Sequence, residues 1–197
     1  MDFDIIANRR DLISIFPGLA GDDKFRITSP KTVSYNCIAW AMGFDARWVA
    51  NTAFPGLDAQ FRFVWWPDGV EVSQRPEALI AAFASLGFEL TDNRGYEPGF
   101  DKAVLYSDGN KWTHASRLLA DDMEHSKFGA LWDACHGCDK FSGSDYGTPY
   151  AYMRRPHNLK RHFLEIHPAR IGSVKVNEDR LGTVINQLRA LRGLPPL

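Results

Sequence analysis

The chain has 197 residues, of which 45% are hydrophobic and 13% aromatic, and this composition predicts a folded core and excludes a disordered chain. The formal net charge of −1 excludes the basic footprint of a nucleic-acid binder, and the apolar runs are too short to span a bilayer. Three cysteines are too few for a disulfide framework and indicate a reducing compartment, so we expect a cytoplasmic protein; secretion without a signal would leave the same sequence.

The first third of the chain predicts short elements separated by prolines and glycines. Residues 9–16 predict a helix that Pro17-Gly18 ends. FRITS (25–29) alternates like a strand, and FRFVWWP (61–67) predicts an apolar strand that its proline ends. Between them, CIAWAMG (37–43) predicts a helix with Asn36 or Ser34 as its N-cap.

The middle of the chain predicts an amphipathic helix and a hairpin. SQRPEALIAAFASLGF (73–88) has apolar residues at helical spacing and a glycine at its end. KAVLYSDGNKWTHASRLLA (102–120) predicts two strands around the turn Asp108-Gly109-Asn110, and the alternation places His114 on the same strand face as Trp112.

The last third predicts less regular structure until its end. Residues 121–147 mix charge, glycine and serine, which predicts a loop with one helical turn. TPYAYMRR (148–155) predicts a further strand, and residues 177–193 predict a C-terminal amphipathic helix that packs on the core. We therefore expect three parts: an N-terminal extension (1–30), a core domain (31–156) and a C-terminal helical segment (157–197).

Cys37 at the start of a predicted helix is the first candidate for chemistry. The free N–H groups and the positive pole of a helix start favour a thiolate, and a nearby imidazolium lowers a cysteine pKa to about 3.5–7.5. Nucleophilic cysteine catalysis also needs a base within hydrogen-bond reach, and His114 on a later strand is the candidate base. The alternative is a small thiol packed in the core beside Ile38.

The order of these residues resembles the papain-like cysteine hydrolases, in particular the compact NlpC/P60 and CHAP peptidases. The chain also resembles an uncharacterised bacterial domain family over roughly residues 33–156, in the motifs YNCIAWAMG, WWP, LGFEL, WTHASRL, SKFG and DYGTPYAYMRR. The first resemblance implies an α+β fold in which the helix with Cys37 packs on an antiparallel sheet, with extra helices at both termini. The second implies no established activity.

Site residues follow from the papain-like resemblance. Cys37 would be the nucleophile, His114 the base, and His125 the residue that orients the base. The alternatives for this third role are Glu124, Asp133 and His136.

The same resemblance places further residues around the nucleophile. The backbone N–H of Cys37, with the side chain of Asn36 or Tyr35, would form an oxyanion hole. Ser126 and Lys127 would line the cleft, although Lys127 also fits a solvated surface charge.

A second pattern suggests a structural metal. Cys135 and Cys138 form a C-x2-C pair, and His157 and His162 follow as H-x4-H. Tetrahedral zinc sites use such pairs, although usually with a shorter gap between them. We treat these four residues as an alternative and expect neither a metal nor another cofactor.

The sequence therefore predicts a cysteine hydrolase or acyltransferase that cleaves an amide by Cys-His catalysis. Its substrate would be a peptide, a protein side chain or a peptidoglycan-like stem, and we expect neither nucleic acid nor membrane as a partner. The alternative is a non-catalytic binding or interaction domain, stabilised by zinc if the four residues above bind it.

Overall fold

A computed structural model of the chain describes residues 3–53, 56–58, 62–138, 140–141 and 145–157. Strands dominate this part of the chain. The described helices are α1 (Ile6–Ile15), α2 (Cys37–Met42) and α3 (Pro76–Ala84), with a 3-10 turn at Pro17–Leu19. The described strands are β1 (Arg26–Ile27), β2 (Trp48–Val49), β3 (Gly56–Leu57), β4 (Phe63–Trp65), β5 (Glu89–Leu90), β6 (Phe100–Ser107), β7 (Trp112–Leu118), β8 (Glu124–Lys127), β9 (Asp133–His136) and β10 (Thr148–Pro156).

The strands form two sheets. Seven of them make an antiparallel sheet in the order β1-β9-β8-β7-β6-β10-β5, and the other three make a small sheet in the order β2-β4-β3. The predicted papain-like α+β fold is wrong, because the described chain is mostly β and its helices are short. None of the helices within the described ranges is long and apolar enough to cross a membrane.

The large sheet has two faces that carry different side chains. Strand pairing places Tyr106 opposite His114, and Ser116 opposite Ser126, so these four residues share one side, which we call the His114 face. Ala115, Arg117, His125 and Lys127 alternate with them and define the Ala115 face. The His114 face is covered by a buried cluster that α1 and the 3-10 turn complete, namely Leu12, Phe16, Leu19, Phe25, Ile27, Val104, Tyr106, Phe128, Trp132, Ala134 and Phe141.

The predicted hairpin is confirmed. β6 and β7 pair over Lys102–Ser107 and Trp112–Leu118, with a bulge next to Ser107. In the turn, Asp108 Oδ1 accepts hydrogen bonds from the N–H groups of Asn110 and Lys111, both at 2.9 Å. Gly109 has a φ of +94°, a conformation that a residue with a Cβ rarely adopts.

The predicted loop over residues 121–147 is wrong, because this segment contains β8 and β9. Both strands are short and polar, with the sequences EHSK and DACH. Sequence reasoning associates such residues with solvent, but Glu124, Lys127 and His136 are buried in the sheet and have hydrogen-bond or ionic partners. Buried strands of this kind lack the apolar alternation from which a strand is predicted.

The N-terminal segment contributes to the main sheet and its core. α1 begins earlier than predicted, at Ile6, and β1 pairs with β9. Strand β10 confirms the predicted strand over residues 148–155. The predicted C-terminal helix over residues 177–193 lies outside the described residues.

Candidate active site

Helix α2 begins at Cys37, as predicted, because Asn36 caps it. Asn36 Oδ1 accepts the N–H of Ala39 at 3.0 Å, and the left-handed Gly43 ends the helix. The same side chain exchanges two further hydrogen bonds with the backbone of Val49, at 2.8 and 3.2 Å. The amide of Asn36 therefore joins α2 to the small sheet. Asn36 was predicted to help form an oxyanion hole, and its side chain instead makes these structural hydrogen bonds.

Cys37 is the first residue of α2; part of the residue is exposed, whereas its thiol group is buried. Burial raises the pKa of this thiol to about 11, and hydrogen bonds from the N–H groups of Ala115 and Ile38 offset only part of that rise. The prediction of a thiolate is wrong, because desolvation outweighs the helix start. The side chain is a neutral thiol at pH 7.

His114 lies on β7 and is completely buried. Its ring stacks on Tyr146 with the centroids 4.0 Å apart and the planes within 5° of each other. Nε2 lies 3.1 Å from Ser126 Oγ, whereas Nδ1 has no hydrogen-bond partner among the described residues. Burial, and next the neighbouring His136, lower the pKa of His114 well below 6.5, so its imidazole is neutral at pH 7.

Cys37 reaches β7 at the residue after His114. α2 lies against the Ala115 face, where the Trp40 ring is 4.8 Å from the guanidinium of Arg117. β7 pairs with β8 through Ser116, Arg117 and Leu118, and Ala115 is not part of this pairing. The N–H of Ala115 is therefore available to the thiol of Cys37. Within the described part of the chain no hydrogen bond joins Cys37 to His114. The thiol contacts the backbone of Ala115, the residue after His114, and the imidazole of His114 leaves β7 on the face opposite α2.

The structure assigns the contact with His114 to Ser126, which was predicted only as a cleft residue. Ser126 Oγ lies 2.8 Å from Nε2 of His136, and His136 Nδ1 lies 3.0 Å from the carbonyl oxygen of Gly137. His136 was one alternative for the orienting residue. It reaches His114 through the serine, an arrangement that only the sheet register reveals.

His125 does not orient His114, and this prediction is wrong. It points to the Ala115 face, since it alternates with Ser126 along β8. Its Nε2 pairs instead with Asp121 at 2.9 Å. Of the remaining alternatives, Glu124 accepts hydrogen bonds from Tyr106 and Ser116 at 2.5 Å each, so its carboxylate belongs to a neighbouring network.

Lys127 and Asp133 form a buried pair beside α2. Lys127 is 0% exposed, so its interpretation as a solvated surface charge is wrong; its Nζ donates to the Leu131 carbonyl and lies 3.7 Å from Asp133 Oδ1. Burial lowers the pKa of Lys127. Tyr35 donates a 2.5 Å hydrogen bond to Asp133 Oδ2, and burial followed by this carboxylate raises the pKa of the phenol.

A cleft of about 580 Å³ with both polar and apolar lining opens beside this pair on the Ala115 face. Aromatic, hydroxyl, imidazole and carboxylate side chains line it. They are Thr28, Ser29, Thr32, Ser34, Tyr35, Trp40, Asp45, Leu119, His125 and Asp133. The cleft therefore contains the predicted site residues Tyr35 and His125 and the alternative Asp133, whereas Cys37 and His114 are not among the residues that line it.

The zinc alternative is not supported by the described residues. Cys135 lies on β9 and His157 follows β10, and three strands separate β9 from β10 in the sheet. Four strand spacings of roughly 4.8 Å put them about 19 Å apart, far beyond the span of a tetrahedral site. No group of three potential ligands in the described ranges could hold a metal ion, and His162 lies outside those ranges.

Comparison with known proteins gives a family without an assigned activity. A protein-family model described as a domain of unknown function (DUF7689) matches residues 26–154. The chain belongs to the DUF7689 family. No curated protein and no solved structure matches it. The DUF7689 match contains Cys37, His114, Ser126 and His136, so the candidate site lies wholly within the family domain.

Proposed function

We propose that this domain is a cysteine hydrolase or acyltransferase that acts on an amide carbonyl, with Cys37 as the nucleophile and His114 as the base. One observation carries the proposal. A completely buried imidazole keeps Nδ1 without a partner among the described residues, one position from the backbone N–H that holds the Cys37 thiol. A buried nitrogen in this state costs free energy, so a role that uses it is favoured. The chain order, a cysteine that opens a helix and a histidine on a later strand, supports the same assignment of roles.

The pKa values define the kind of catalysis. With a thiol pKa of about 11 and a neutral imidazole, the resting site does not hold a thiolate-imidazolium pair. The proton must therefore move while the substrate is attacked, as in general-base catalysis. Because α2 and the imidazole lie on opposite faces of β7, transfer to His114 Nδ1 requires the two groups to approach each other beside Ala115, where β7 no longer pairs with β8, once substrate is bound.

The reaction then has two halves. Cys37 Sγ bonds to the carbonyl carbon while its proton passes to His114 Nδ1, and the carbonyl oxygen takes the negative charge. The C–N bond breaks as the amine leaves with the proton from Nδ1, which produces a thioester on Cys37. Water, or an acceptor amine in a transferase, attacks the thioester and gives its proton to Nδ1. The C–S bond breaks, and the sulfur recovers that proton.

The cleft beside α2 is the proposed path for the substrate. Its carboxylate, imidazole and hydroxyl groups suit the polar backbone of a peptide, a protein segment or a peptidoglycan-like stem. Tyr35, which lines the cleft, is two residues before Cys37 in the chain, and the proposal requires a bound substrate to extend from the cleft to the thiol.

Acylation by p-nitrophenyl acetate tests the proposal without knowledge of the natural substrate. We expect an acetyl group on Cys37, located by peptide mass spectrometry, and release of p-nitrophenolate. His114→Gln should slow acetylation by about 100-fold or more, because general-base catalysis contributes roughly 10²–10⁴-fold. Cys138→Ser, at the exposed cysteine, is the matched control and should leave Cys37 acetylation unchanged. Acetylation of Cys37 no faster than that of Cys138 would reject the enzyme.

A non-catalytic binding domain is the second candidate. The raised pKa of Cys37 favours it, because a buried neutral thiol also serves as packing. In that case Cys37→Ser would lower the free energy of unfolding, and p-nitrophenyl acetate would not acylate the wild-type residue. The same acylation experiment therefore separates the two candidates.

A further inference from the structure

Three side chains form a hydrogen-bonded chain behind the candidate base. His114 Nε2 lies 3.1 Å from Ser126 Oγ, the same oxygen lies 2.8 Å from His136 Nε2, and His136 Nδ1 lies 3.0 Å from the Gly137 carbonyl. All three side chains are 0% exposed. Water therefore does not compete for these contacts, and each hydrogen bond needs a defined donor and acceptor.

The Gly137 carbonyl, at the far end of this series of hydrogen bonds, determines which atom carries each proton in the series. The Gly137 carbonyl can only accept, so His136 must carry its proton on Nδ1. Burial lowers the pKa of His136 to about 4, so the ring is neutral and its Nε2 accepts. The single hydrogen of Ser126 must then point at His136, and Ser126 Oγ accepts the proton of His114 Nε2–H. Neutral His114 consequently has a bare lone pair on Nδ1.

We propose that Ser126 and His136 are positioning residues that hold His114 in the tautomer with Nδ1 free to accept a proton. This inference rests on the proposed function, since the free Nδ1 is the atom assigned to the Cys37 proton. Neither residue touches the substrate. Their effect is to keep the acceptor lone pair on Nδ1, the ring nitrogen that their hydrogen bonds leave free.

Aromatic rings around His114 and His136 hold the two imidazoles in the orientations that these hydrogen bonds require. Tyr146 stacks on His114, and Phe141 lies edge-on to both imidazoles, with centroids 5.9 Å from His114 and 4.2 Å from His136. A ring flip of His114 would have to break the stacked contact and the hydrogen bond to Ser126 together. Asp22 adds a second restraint, because its Oδ2 accepts the Gly137 N–H at 2.6 Å next to the terminal carbonyl.

Nuclear magnetic resonance of the wild-type chain with ¹⁵N-labelled histidine tests the tautomers directly. Long-range ¹H–¹⁵N correlations at pH 7 should show His114 protonated on Nε2 and His136 protonated on Nδ1. His114→Gln and His136→Gln assign the two signals by removing them. A proton on Nδ1 of His114, or a charged imidazolium there, would overturn the proposal.

Variants at the serine connect the tautomer to reactivity. Ser126→Ala should slow Cys37 acetylation by p-nitrophenyl acetate by about 10-fold or more, because a base in the wrong tautomer loses most of its activity. The matched control is Ser116→Ala: Ser116 is equally buried on the same face, but donates to Glu124, and the change should leave the rate within about 3-fold.

Two replacements of His136 test whether a side chain with similar hydrogen-bonding groups preserves the acetylation rate. His136→Gln retains a donor for Gly137 and an acceptor for Ser126, so it should preserve more of the acetylation rate than His136→Leu. Unchanged acetylation in Ser126→Ala would overturn the positioning role and leave the proposed enzyme intact. Absent acetylation in the wild type, with the expected tautomers present, would reject the enzyme and with it the use assigned to Nδ1.

Discussion

Tyr35 and Asp133 are 98 residues apart in the chain, and a 2.5 Å hydrogen bond joins their side chains in a buried position. The carboxylate also pairs with Lys127 at 3.7 Å, so one anion connects the loop before α2 to strand β8. The contact ties the predicted nucleophile's helix to two strands that the sequence does not predict. Both residues also line the cleft proposed for substrate.

Loss of the Tyr35 hydroxyl should destabilise the domain measurably. Tyr35→Phe leaves a buried carboxylate oxygen without its donor, and we expect the free energy of unfolding to fall by about 1–3 kcal/mol in urea denaturation. Tyr96→Phe, at a half-buried tyrosine outside this cleft, is the control. An equal loss in both variants would contradict the assigned contact.

The cap of α2 gives a second prediction. Asn36→Ala removes the side chain that caps α2 and bonds to Val49, and it should lower the free energy of unfolding by about 1–2 kcal/mol or more. Ser34→Ala alters the other residue considered as a cap, which is exposed, and should have little effect. A larger effect at Ser34 than at Asn36 in the same urea experiment would show that the cap is misassigned.

Adjacent arginines on β10 offer a matched pair. Arg155 is 1% exposed and bonds to the carbonyls of Met42 and Leu86 and to the Asp101 carboxylate. Arg155→Met should lower the free energy of unfolding by roughly 3–5 kcal/mol, because it leaves Asp101 with a broken buried pair.

Arg154 is the control for that change. Its side chain is 31% exposed and pairs with Glu89 and Glu97 at the surface, so Arg154→Met should change the free energy of unfolding far less than Arg155→Met. Equal losses at the two positions, measured by urea denaturation, would mean that Arg155 does not join the ends of α2 and α3 to β6.

Acid should destabilise the fold through the buried histidines. The pKa of His136 is lowered to about 4 and that of His114 also lies below 6.5, so the folded state favours their neutral forms. The stability that depends on their neutral forms is complete above about pH 6.5, the pKa of an unfolded histidine. It is lost as the pH falls from there through the lower pKa values of the folded state. For His136 the loss between pH 6.5 and pH 4 is about 3 kcal/mol.

Urea denaturation at pH 7, 6, 5 and 4 measures this loss. His136→Gln removes the titrating group, so the variant should lose less stability than the wild type over the same range. Parallel curves for the two proteins would contradict the lowered pKa of His136.

Alkylation of Cys37 should report its pKa. Site-resolved labelling with iodoacetamide should accelerate about 10-fold per pH unit from pH 8 to pH 10, because only the thiolate reacts and the pKa is about 11. A short unstructured peptide with one cysteine is the reference, and its rate should level off above its pKa of about 8.5. A plateau for Cys37 below pH 9 would mean that the thiol is more acidic than its burial implies.

Elements with local signals were predictable from the sequence. Asn36 and Gly43 delimit α2, and the turn Asp108-Gly109-Asn110 delimits the hairpin, because caps and turns depend on residues close in the chain. β8 and β9 carried no such signal. Their polar side chains are satisfied by residues on other strands, and local hydrophobicity does not encode that kind of pairing.

The amino-acid order by itself determined that a cysteine opens a helix and that a histidine lies within a strand, since capping and alternation act over a few residues. Only the tertiary structure decided that Ser126, and not His125, contacts the imidazole of His114. It also decided that the Cys37 thiol is neutral. Strand register selects the face of each side chain, and burial changes its proton affinity, and both depend on groups brought together from distant parts of the chain.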